Sequence, residues 1–146
     1  MSAFEGLRHF TSKEAWGDAN LMDRGFLLEL DNYREFIRCP VHVICGTQGR
    51  HADNSAHYIG RAADICFPDN LTSLLDLYLA AERFEFTNIG IYPYWKYNYR
   101  VIGGLHLDTG PTSECYGARW LGVPDPNGKQ IYLQLNMINL RRFGVV

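Results

Sequence analysis

Two stretches of the chain place apolar side chains at the three- and four-residue spacing of an amphipathic helix. The first runs from about Asn20 to Ile37, ahead of Pro40, which cannot continue a helix. The second runs from Asn70 to Phe84, with Asn70 or Thr72 as its N-terminal cap. Their apolar positions are Leu21, Phe26, Leu27, Leu30, Tyr33 and Ile37, and then Leu71, Leu74, Leu75, Tyr78, Leu79 and Ala81.

The rest of the chain favours strands. Short apolar or alternating runs predict strands at Val41–Cys45, Ala62–Phe67, Asn88–Tyr92, within Tyr99–Asp108, and at Lys129–Leu135. A succession of helices followed mostly by strands predicts an α+β fold, with helices packed on a small, mostly antiparallel sheet. We expect one domain over residues 1–146, and a monomer.

The N-terminal segment carries a helix-start signal and no export signal. Thr11 and Glu14 have the spacing of a capping box, which predicts a short helix there. The opening residues, MSAFEGLRHFTSKEAWGD, mix charges with apolar residues and lack the apolar centre of a signal peptide. We therefore expect the protein to lie in the cytoplasm unless another route releases it.

Composition excludes several classes of protein. Of 146 residues, 47% are hydrophobic and 21% are charged, which suits a folded core rather than disorder. The net charge of −2 gives no basic face, so we expect no nucleic-acid partner. The sequence has no apolar run of membrane-spanning length, so we expect no transmembrane segment. The four cysteines form no C-x-x-C pair, so reduced thiols are favoured over a disulfide or a cysteine metal site; they are Cys39, Cys45, Cys66 and Cys115.

Asp64 is the polar outlier of the strand at Ala62–Phe67. A buried carboxylate is costly unless it is paired or binds a cation. Its candidate partners are Arg61, a cluster of backbone N–H groups, or a cation. His57 precedes it by seven residues, and Gly60 between them permits a turn that would bring the imidazole back over the strand.

A second histidine strengthens the hypothesis of a metal site. His106 and Asp108 alternate with leucines, so they share one face of their strand, and glycines flank them. Two histidines and a carboxylate with an open fourth position form a catalytic zinc set. A non-haem iron(II) triad uses the same residue types, but it usually begins with a histidine and a carboxylate two residues apart, unlike His57 and Asp64.

The other candidate residues are less informative from sequence. A structural role is favoured for His9 and His42, and the alternation of His42 with Val41 and Val43 is compatible with its facing a helix. His51, in a polar loop, is equally well explained by a structural role or by lining a site. The aromatic run Tyr92–Tyr99 is either a loop packed over the sheet, which we favour slightly, or the wall of a substrate groove.

These residues together resemble a known family. The segment Ser55–Asp64 matches the S-x-H-x-x-G-x-A-x-D signature of the M15 peptidases, and His106-Leu-Asp108 resembles the H-x-D strand of the M15A branch. Similar likenesses are found at His9–Glu14, at Tyr33–Glu35, at Ile89–Pro93 and at Arg119-Trp120. The resemblance implies the hedgehog/DD-peptidase fold and the activity of zinc D-alanyl-D-alanine carboxypeptidases and related peptidoglycan peptidases.

The resemblance also implies roles for particular residues. One zinc ion would be held by His57, Asp64 and His106, and Ser55 would contact the substrate near the metal. The family's substrate-binding arginine has no certain equivalent, and Arg50 is the candidate to replace it.

The general base of this family is missing from its usual place. Well-known relatives carry a carboxylate three residues before the last histidine, where this chain has Gly103. Asp108 is the first candidate for the base, and an equally weighted alternative is that it orients an imidazole. His51 and Glu114 are lesser candidates.

The sequence thus predicts a zinc metallopeptidase that cleaves peptidoglycan stem peptides or cross-links, as a D,D-carboxypeptidase or endopeptidase. We expect the protein to act as a phage lysin, which would stay in the cytoplasm until it is released. The alternative is a non-catalytic zinc-binding module of the same fold that binds cell wall, and Gly103 favours it.

Overall fold

A computed structural model describes residues 1–69, 71–110 and 117–146. Within these ranges the chain forms three α-helices and eight strands. In chain order they are α1 (Arg24–Ile37), β1 (His42–Cys45), β2 (Ala62–Cys66), α2 (Leu74–Ala81), β3 (Asn88–Tyr92), β4 (Lys96–Tyr97), β5 (Arg100–Val101), β6 (Gly104–Asp108), β7 (Arg119–Pro124), β8 (Gln130–Gln134) and α3 (Met137–Arg142). This content confirms the α+β class.

The helix α1 begins later than the apolar spacing predicted. The Asp23 side chain accepts a hydrogen bond from the backbone N–H of Phe26 and caps the helix, so the chain turns helical at Arg24. The residues Ala19–Leu21 form a separate 3-10 turn. None of the helices among the described residues is long and apolar enough to cross a bilayer.

The helix α2 is shorter than predicted at both ends. Its cap is Ser73, whose hydroxyl accepts from the backbone N–H of Asp76, and not Thr72; Asn70 lies outside the described residues. The helix ends at Ala81, well before Phe84.

The predicted N-terminal helix at Thr11–Glu14 does not form. The capping hydrogen bond does form, since Glu14 Oε2 accepts from the backbone N–H of Thr11 at 2.7 Å. However, the Trp16 indole N–H donates to the Thr11 carbonyl at 2.7 Å, and the ring is fully buried. Burial of this indole thus holds the segment in a compact turn.

Six of the strands form one sheet in the order β1-β2-β6-β3-β7-β8. Neighbouring strands run antiparallel except β3 and β7, which are parallel. The strands β4 and β5 form a separate hairpin. The prediction of a mostly antiparallel sheet is confirmed for the described residues.

The two faces of this sheet differ in character. One face carries apolar side chains that pack against α1 and α2 to form the core. From the sheet these include Val43, Ile65, Leu107, Ile91 and Leu121, and from the helices Phe26, Leu30, Tyr33 and Leu77. Because side chains alternate along a strand, the residues between these positions project to the opposite face, which holds the polar residues of interest.

Three elements were missed by sequence reasoning. The strand β7 contains Gly122 and ends at Pro124, residues that are uncommon within strands. The hairpin β4–β5 begins in the aromatic run and continues past it to Val101, and α3 spans six residues, too few for a clear helical period.

Candidate metal centre

The candidate site is built on one row of residues that crosses the sheet. Asp64 on β2 pairs with His106 on β6, which pairs with Gly90 on β3, which pairs in turn with Trp120 on β7. A Cβ at Gly90 would lie 2.5 Å from the Trp120 indole. The glycine therefore leaves space for the tryptophan to lie over the sheet, with its ring centroid 5.2 Å from that of His106.

His57 is brought to this row by a 3-10 turn, Ala56–Ile59. The Ser55 hydroxyl caps the turn by accepting from the backbone N–H of His57 at 3.2 Å. Gly60 ends the turn with a φ of 70°, in the left-handed region, and a Cβ there would overlap the Leu21 carbonyl. The expected role of Gly60 in turning the chain back is thus confirmed, and its neighbourhood admits no side chain.

The three predicted ligand atoms form a compact triangle. His106 Nδ1 lies 3.0 Å from Asp64 Oδ1, His57 Nε2 lies 3.3 Å from Asp64 Oδ1, and the two nitrogens are 3.2 Å apart. Two ligands held 2.0–2.1 Å from a tetrahedral ion are about 3.3 Å apart. The triangle therefore has the dimensions of three corners of a zinc coordination sphere, and these residues can hold a metal ion.

Hydrogen bonds at the outer nitrogen of each imidazole leave the inner nitrogen facing the triangle. His106 Nε2 donates to Asp108 Oδ2 at 2.6 Å, and His57 Nδ1 donates to the Gly46 carbonyl at 2.6 Å. With those protons in place, Nδ1 of His106 and Nε2 of His57 have lone pairs available for a cation. Metal-binding histidines commonly have such a partner on the other nitrogen.

Asp108 is itself held in place. Its Oδ1 accepts from the Asn88 side-chain amide at 2.9 Å and from the backbone N–H of Gly110 at 3.1 Å. Asp108 is only 4% exposed, and its other oxygen accepts from His106. Of the two roles left open by the sequence, these contacts favour orienting the imidazole over acting as a base.

The triangle is electrostatically suited to a cation. Burial tends to raise the pKa of Asp64, but hydrogen bonds and charge from His106 and His57 outweigh it and hold the pKa well below its ordinary value. Burial tends to lower the pKa of His106, but hydrogen bonds to Asp108 and Asp64 outweigh it and raise the pKa to about 9. The metal-free ring thus retains a second proton at neutral pH, at the position a metal ion would take.

A cleft with a volume of about 1490 Å³ opens over the triangle. Arg50, Ser55 and His51 line it on the loop side, and the Asp64 side chain is 16% exposed to it. The volume exceeds the roughly 300–1,000 Å³ of pockets for small ligands. An extended ligand therefore fits the cleft better than a single small molecule.

An aromatic wall forms the other side of this cleft; we define it as Tyr92, Trp95, Trp120 and Tyr132. The rings of Tyr92 and Trp95 stack with centroids 4.0 Å apart, and the Trp120 indole N–H donates to the Tyr92 hydroxyl at 2.8 Å. The slightly favoured interpretation of the aromatic run, a loop packed over the sheet, is therefore incomplete, because Tyr92 and Trp95 line the cleft. Trp120 and Tyr132 come from β7 and β8, and alternation along β8 was the available signal for Tyr132.

The three histidines outside the triangle lie in different surroundings. His51 lies at the cleft, and its ring stacks on that of His57 with centroids 3.9 Å apart. His9 pairs with Glu35 at 2.5 Å, in a structural role. His42 does not face a helix, which the sequence left open: it is exposed on the edge strand β1, and its ring meets that of Tyr97 edge to face.

Arg61, the candidate partner of Asp64, and the position of the family's usual base both lie away from the triangle. Arg61 lines a separate cavity beside Glu29 and Glu85, whereas Asp64 pairs with the two histidines. A Cβ on Gly103 would lie 2.9 Å from the Leu74 side chain, so a side chain there would point towards α2. Glu114 lies outside the described residues.

The cysteines in the described ranges, Cys39, Cys45 and Cys66, are free thiols, as expected; Cys115 lies outside those ranges. Burial, and then the charge of Asp64, raise the pKa of the Cys45 thiol to about 11.

No family model, curated protein or solved structure matches this chain. The candidate metal centre is supported by its own residues and their geometry.

Proposed function

We propose that this protein is a zinc peptidase of the M15 type, with the hedgehog/DD-peptidase fold, that hydrolyses peptide bonds in peptidoglycan stem peptides or cross-links. The observation that carries the proposal is the triangle of His57 Nε2, Asp64 Oδ1 and His106 Nδ1, with edges of 3.0–3.3 Å at the floor of an open cleft. Three ligands with a fourth position open to solvent distinguish a catalytic zinc site from a closed structural one.

The choice of metal follows from the donor atoms. Two neutral imidazole nitrogens and one carboxylate oxygen suit zinc, whereas calcium and magnesium prefer sites built of oxygen. Zinc bound here would polarise a substrate carbonyl and lower the pKa of a bound water to about 7. Asp108 and the Gly46 carbonyl keep both rings turned so that their lone pairs point into the triangle.

Substrate binding is proposed to involve both sides of the cleft. The guanidinium of Arg50, exposed at the rim, would pair with a carboxylate of the stem peptide. The Ser55 hydroxyl already caps the turn that carries His57, so its substitution would disturb the ligand as well as the substrate. The aromatic wall supplies a rigid, partly apolar surface along which a peptide and its attached sugars would lie.

Proton transfer requires a carboxylate that is free to accept a proton. The described carboxylates that line the cleft are Asp53, Asp64 and Asp108, and the last two are engaged with imidazoles. Asp53, exposed on the loop before Ser55, is the remaining one and is proposed as the proton acceptor. A positioned base typically contributes roughly 10²–10⁴-fold to the rate.

A second candidate function is a zinc-binding module that binds cell wall without cleaving it. The residues at the expected position of the general base favour it. The position of the expected base is glycine, and the carboxylate nearest to His106 in sequence is occupied in orienting its ring.

One experiment separates the two functions. Protein with one equivalent of zinc is incubated with purified peptidoglycan, and released fragments are identified by mass spectrometry while bound protein is measured by sedimentation. A peptidase releases fragments that define the bond cut, and a binding module sediments with the wall and releases none. His106→Ala is expected to abolish release, and His42→Ala, an exposed histidine outside the cleft, is the matched control. Equal release by His57→Ala and the unsubstituted protein would refute catalysis by this metal centre.

A further inference from the structure

The loop after β1 gathers a second set of metal-binding groups, next to the triangle and distinct from it. Cys45 Sγ lies 3.6 Å from His51 Nε2 and 3.0 Å from the Gln48 carbonyl oxygen. The same oxygen lies 2.8 Å from His51 Nε2. Thus a thiol, an imidazole and a carbonyl lie within 3.6 Å of one another, and the imidazole among them lines the cleft.

These distances are suitable for a thiophilic ion. With a zinc–sulfur bond of about 2.3 Å and a zinc–nitrogen bond of about 2.0–2.1 Å, two ligands at the tetrahedral angle are about 3.6 Å apart. The distance from Cys45 Sγ to His51 Nε2 has this value. A small outward movement of the Gln48 carbonyl would bring the third group to ligand distance.

The surrounding contacts hold this set in place. The Tyr58 hydroxyl accepts from the backbone N–H of His51 at 2.7 Å and donates to the His51 carbonyl at 3.0 Å. The His51 ring is also stacked on His57. Cys45 is anchored by β1, where it pairs with Asp64. The imidazole and the thiol are therefore positioned before any ion binds, which lowers the entropic cost of binding.

His57 also belongs to this neighbourhood, because one of its ring nitrogens lies within 4.8 Å of the ligand atoms of Cys45 and His51. Its Nε2 faces Asp64 and His106, and its Nδ1 donates to Gly46. Both nitrogens are thus engaged, and the Gln48 carbonyl is the better third ligand.

We propose that Cys45, His51 and the Gln48 carbonyl form an accessory site for a thiophilic divalent ion such as Zn²⁺ or Cd²⁺, separate from the triangle. Binding releases the thiol proton to solvent and replaces it with a metal–sulfur bond. The proton that His51 Nε2 donates to the Gln48 carbonyl moves to Nδ1 of the same ring, which frees the Nε2 lone pair for the ion. The soft thiolate gives this site a preference for Zn²⁺ and Cd²⁺ over Mg²⁺ and Ca²⁺. The proposal does not depend on the peptidase activity.

Titration with Cd²⁺ tests the site directly. The triangle contains no sulfur, so a thiolate-to-cadmium charge-transfer band in the ultraviolet reports only on ions bound by cysteine. We expect the reduced, metal-free protein to develop this band to saturation with one thiolate-bound Cd²⁺ per chain. His106→Ala, which removes one corner of the triangle, should retain the band.

Substitutions assign the band to particular residues. Cys45→Ser should abolish it, and Cys39→Ser, which alters another half-buried free thiol, should leave it unchanged. His51→Ala should weaken Cd²⁺ affinity about tenfold or more. Removing a residue that only hydrogen-bonds to a metal ligand already lowers metal affinity about 10–100-fold, and His51 is proposed to be a ligand itself. Far-UV circular dichroism checks that each variant folds. The absence of a band in the unsubstituted protein, or its persistence in Cys45→Ser, would overturn the proposal.

Discussion

His106 Nε2 lies 2.6 Å from Asp108 Oδ2, and the two residues stand on the same face of β6. The opposite nitrogen of that ring lies 3.0 Å from Asp64 Oδ1. The imidazole is thus held between two carboxylates, one of which fixes the ring while the other shares its proposed metal ion. We therefore expect metal affinity to depend on Asp108, a residue outside the triangle.

We predict that Asp108→Asn weakens zinc binding by about 10–100-fold, because the amide is a poorer acceptor for the His106 Nε2 proton and no longer fixes the ring. Competition with a chromophoric chelator measures the affinity. Asp53→Asn, which changes a cleft carboxylate that lies on the loop, is the control and should leave zinc affinity unchanged. Unchanged zinc affinity in Asp108→Asn together with lost hydrolysis would instead assign Asp108 to proton transfer.

The stability of the metal-free protein should fall on the alkaline side of neutrality. The folded-state pKa of His106 is raised from 6.5 to about 9, so the charged ring stabilises the fold fully below pH 6.5 and this contribution is lost as the pH rises to about 9. The pKa of Asp64 is lowered from 3.8, so its contribution is present above that pH and is lost in stronger acid.

Urea denaturation of metal-free protein between pH 6 and pH 9.5 measures this alkaline loss. The same titration on zinc-loaded protein is the control, because a metal-bound imidazole is already neutral and the decline should be smaller. Equal declines in the two forms would contradict the assignment of the raised pKa to His106.

Gly60→Ala is predicted to lower the free energy of unfolding by about 3 kcal/mol or more. The position combines a φ of 70° with a Cβ that would overlap the Leu21 backbone, so the 3-10 turn carrying His57 would have to move. Gly128→Ala is the matched control: its φ is 83° and no atom lies within 4 Å of its Cβ position. The control should cost only about 1–2 kcal/mol. Similar costs at both positions, measured by urea denaturation, would show that the contact with Leu21 is unimportant.

The sequence predicted the candidate site best at positions where a residue type is unusual for its surroundings and therefore has few structural explanations. A carboxylate at position 64, within an otherwise apolar strand, required a partner, and alternation placed His106 and Asp108 on one face. The structure brings His57, Asp64 and His106 together as those arguments expected. The alternation of side chains along a strand is set by local backbone geometry. It could therefore be used to group residues on one face before the fold was known.

The features that sequence reasoning missed depend on contacts between distant residues. The Thr11–Glu14 signal is present, but burial of Trp16 overrides it. Trp120 lies over Gly90 only because β7 runs beside β3, a parallel pairing with no local signature. The convergence of Cys45 with His51 likewise follows from the folded loop rather than from any spacing motif.

The last prediction concerns the aromatic wall and depends on the proposed peptidase activity. Tyr132 is 65% exposed on β8 and lines the cleft, so its ring is available to contact an extended substrate. Tyr132→Ala should raise KM for soluble peptidoglycan fragments about 2–10-fold, because the loss of a contact of about 0.5–1.5 kcal/mol, the range known for pairs of aromatic rings, changes affinity by about this factor. The kcat should be unchanged, because the contact is made equally in the ground state and the transition state.

Tyr99→Ala removes a fully exposed tyrosine outside the cleft and should leave both constants as they are. A fall in kcat at normal zinc content would instead place Tyr132 among the groups that act on the reacting bond, and an unchanged KM would exclude the aromatic wall from substrate binding at this position.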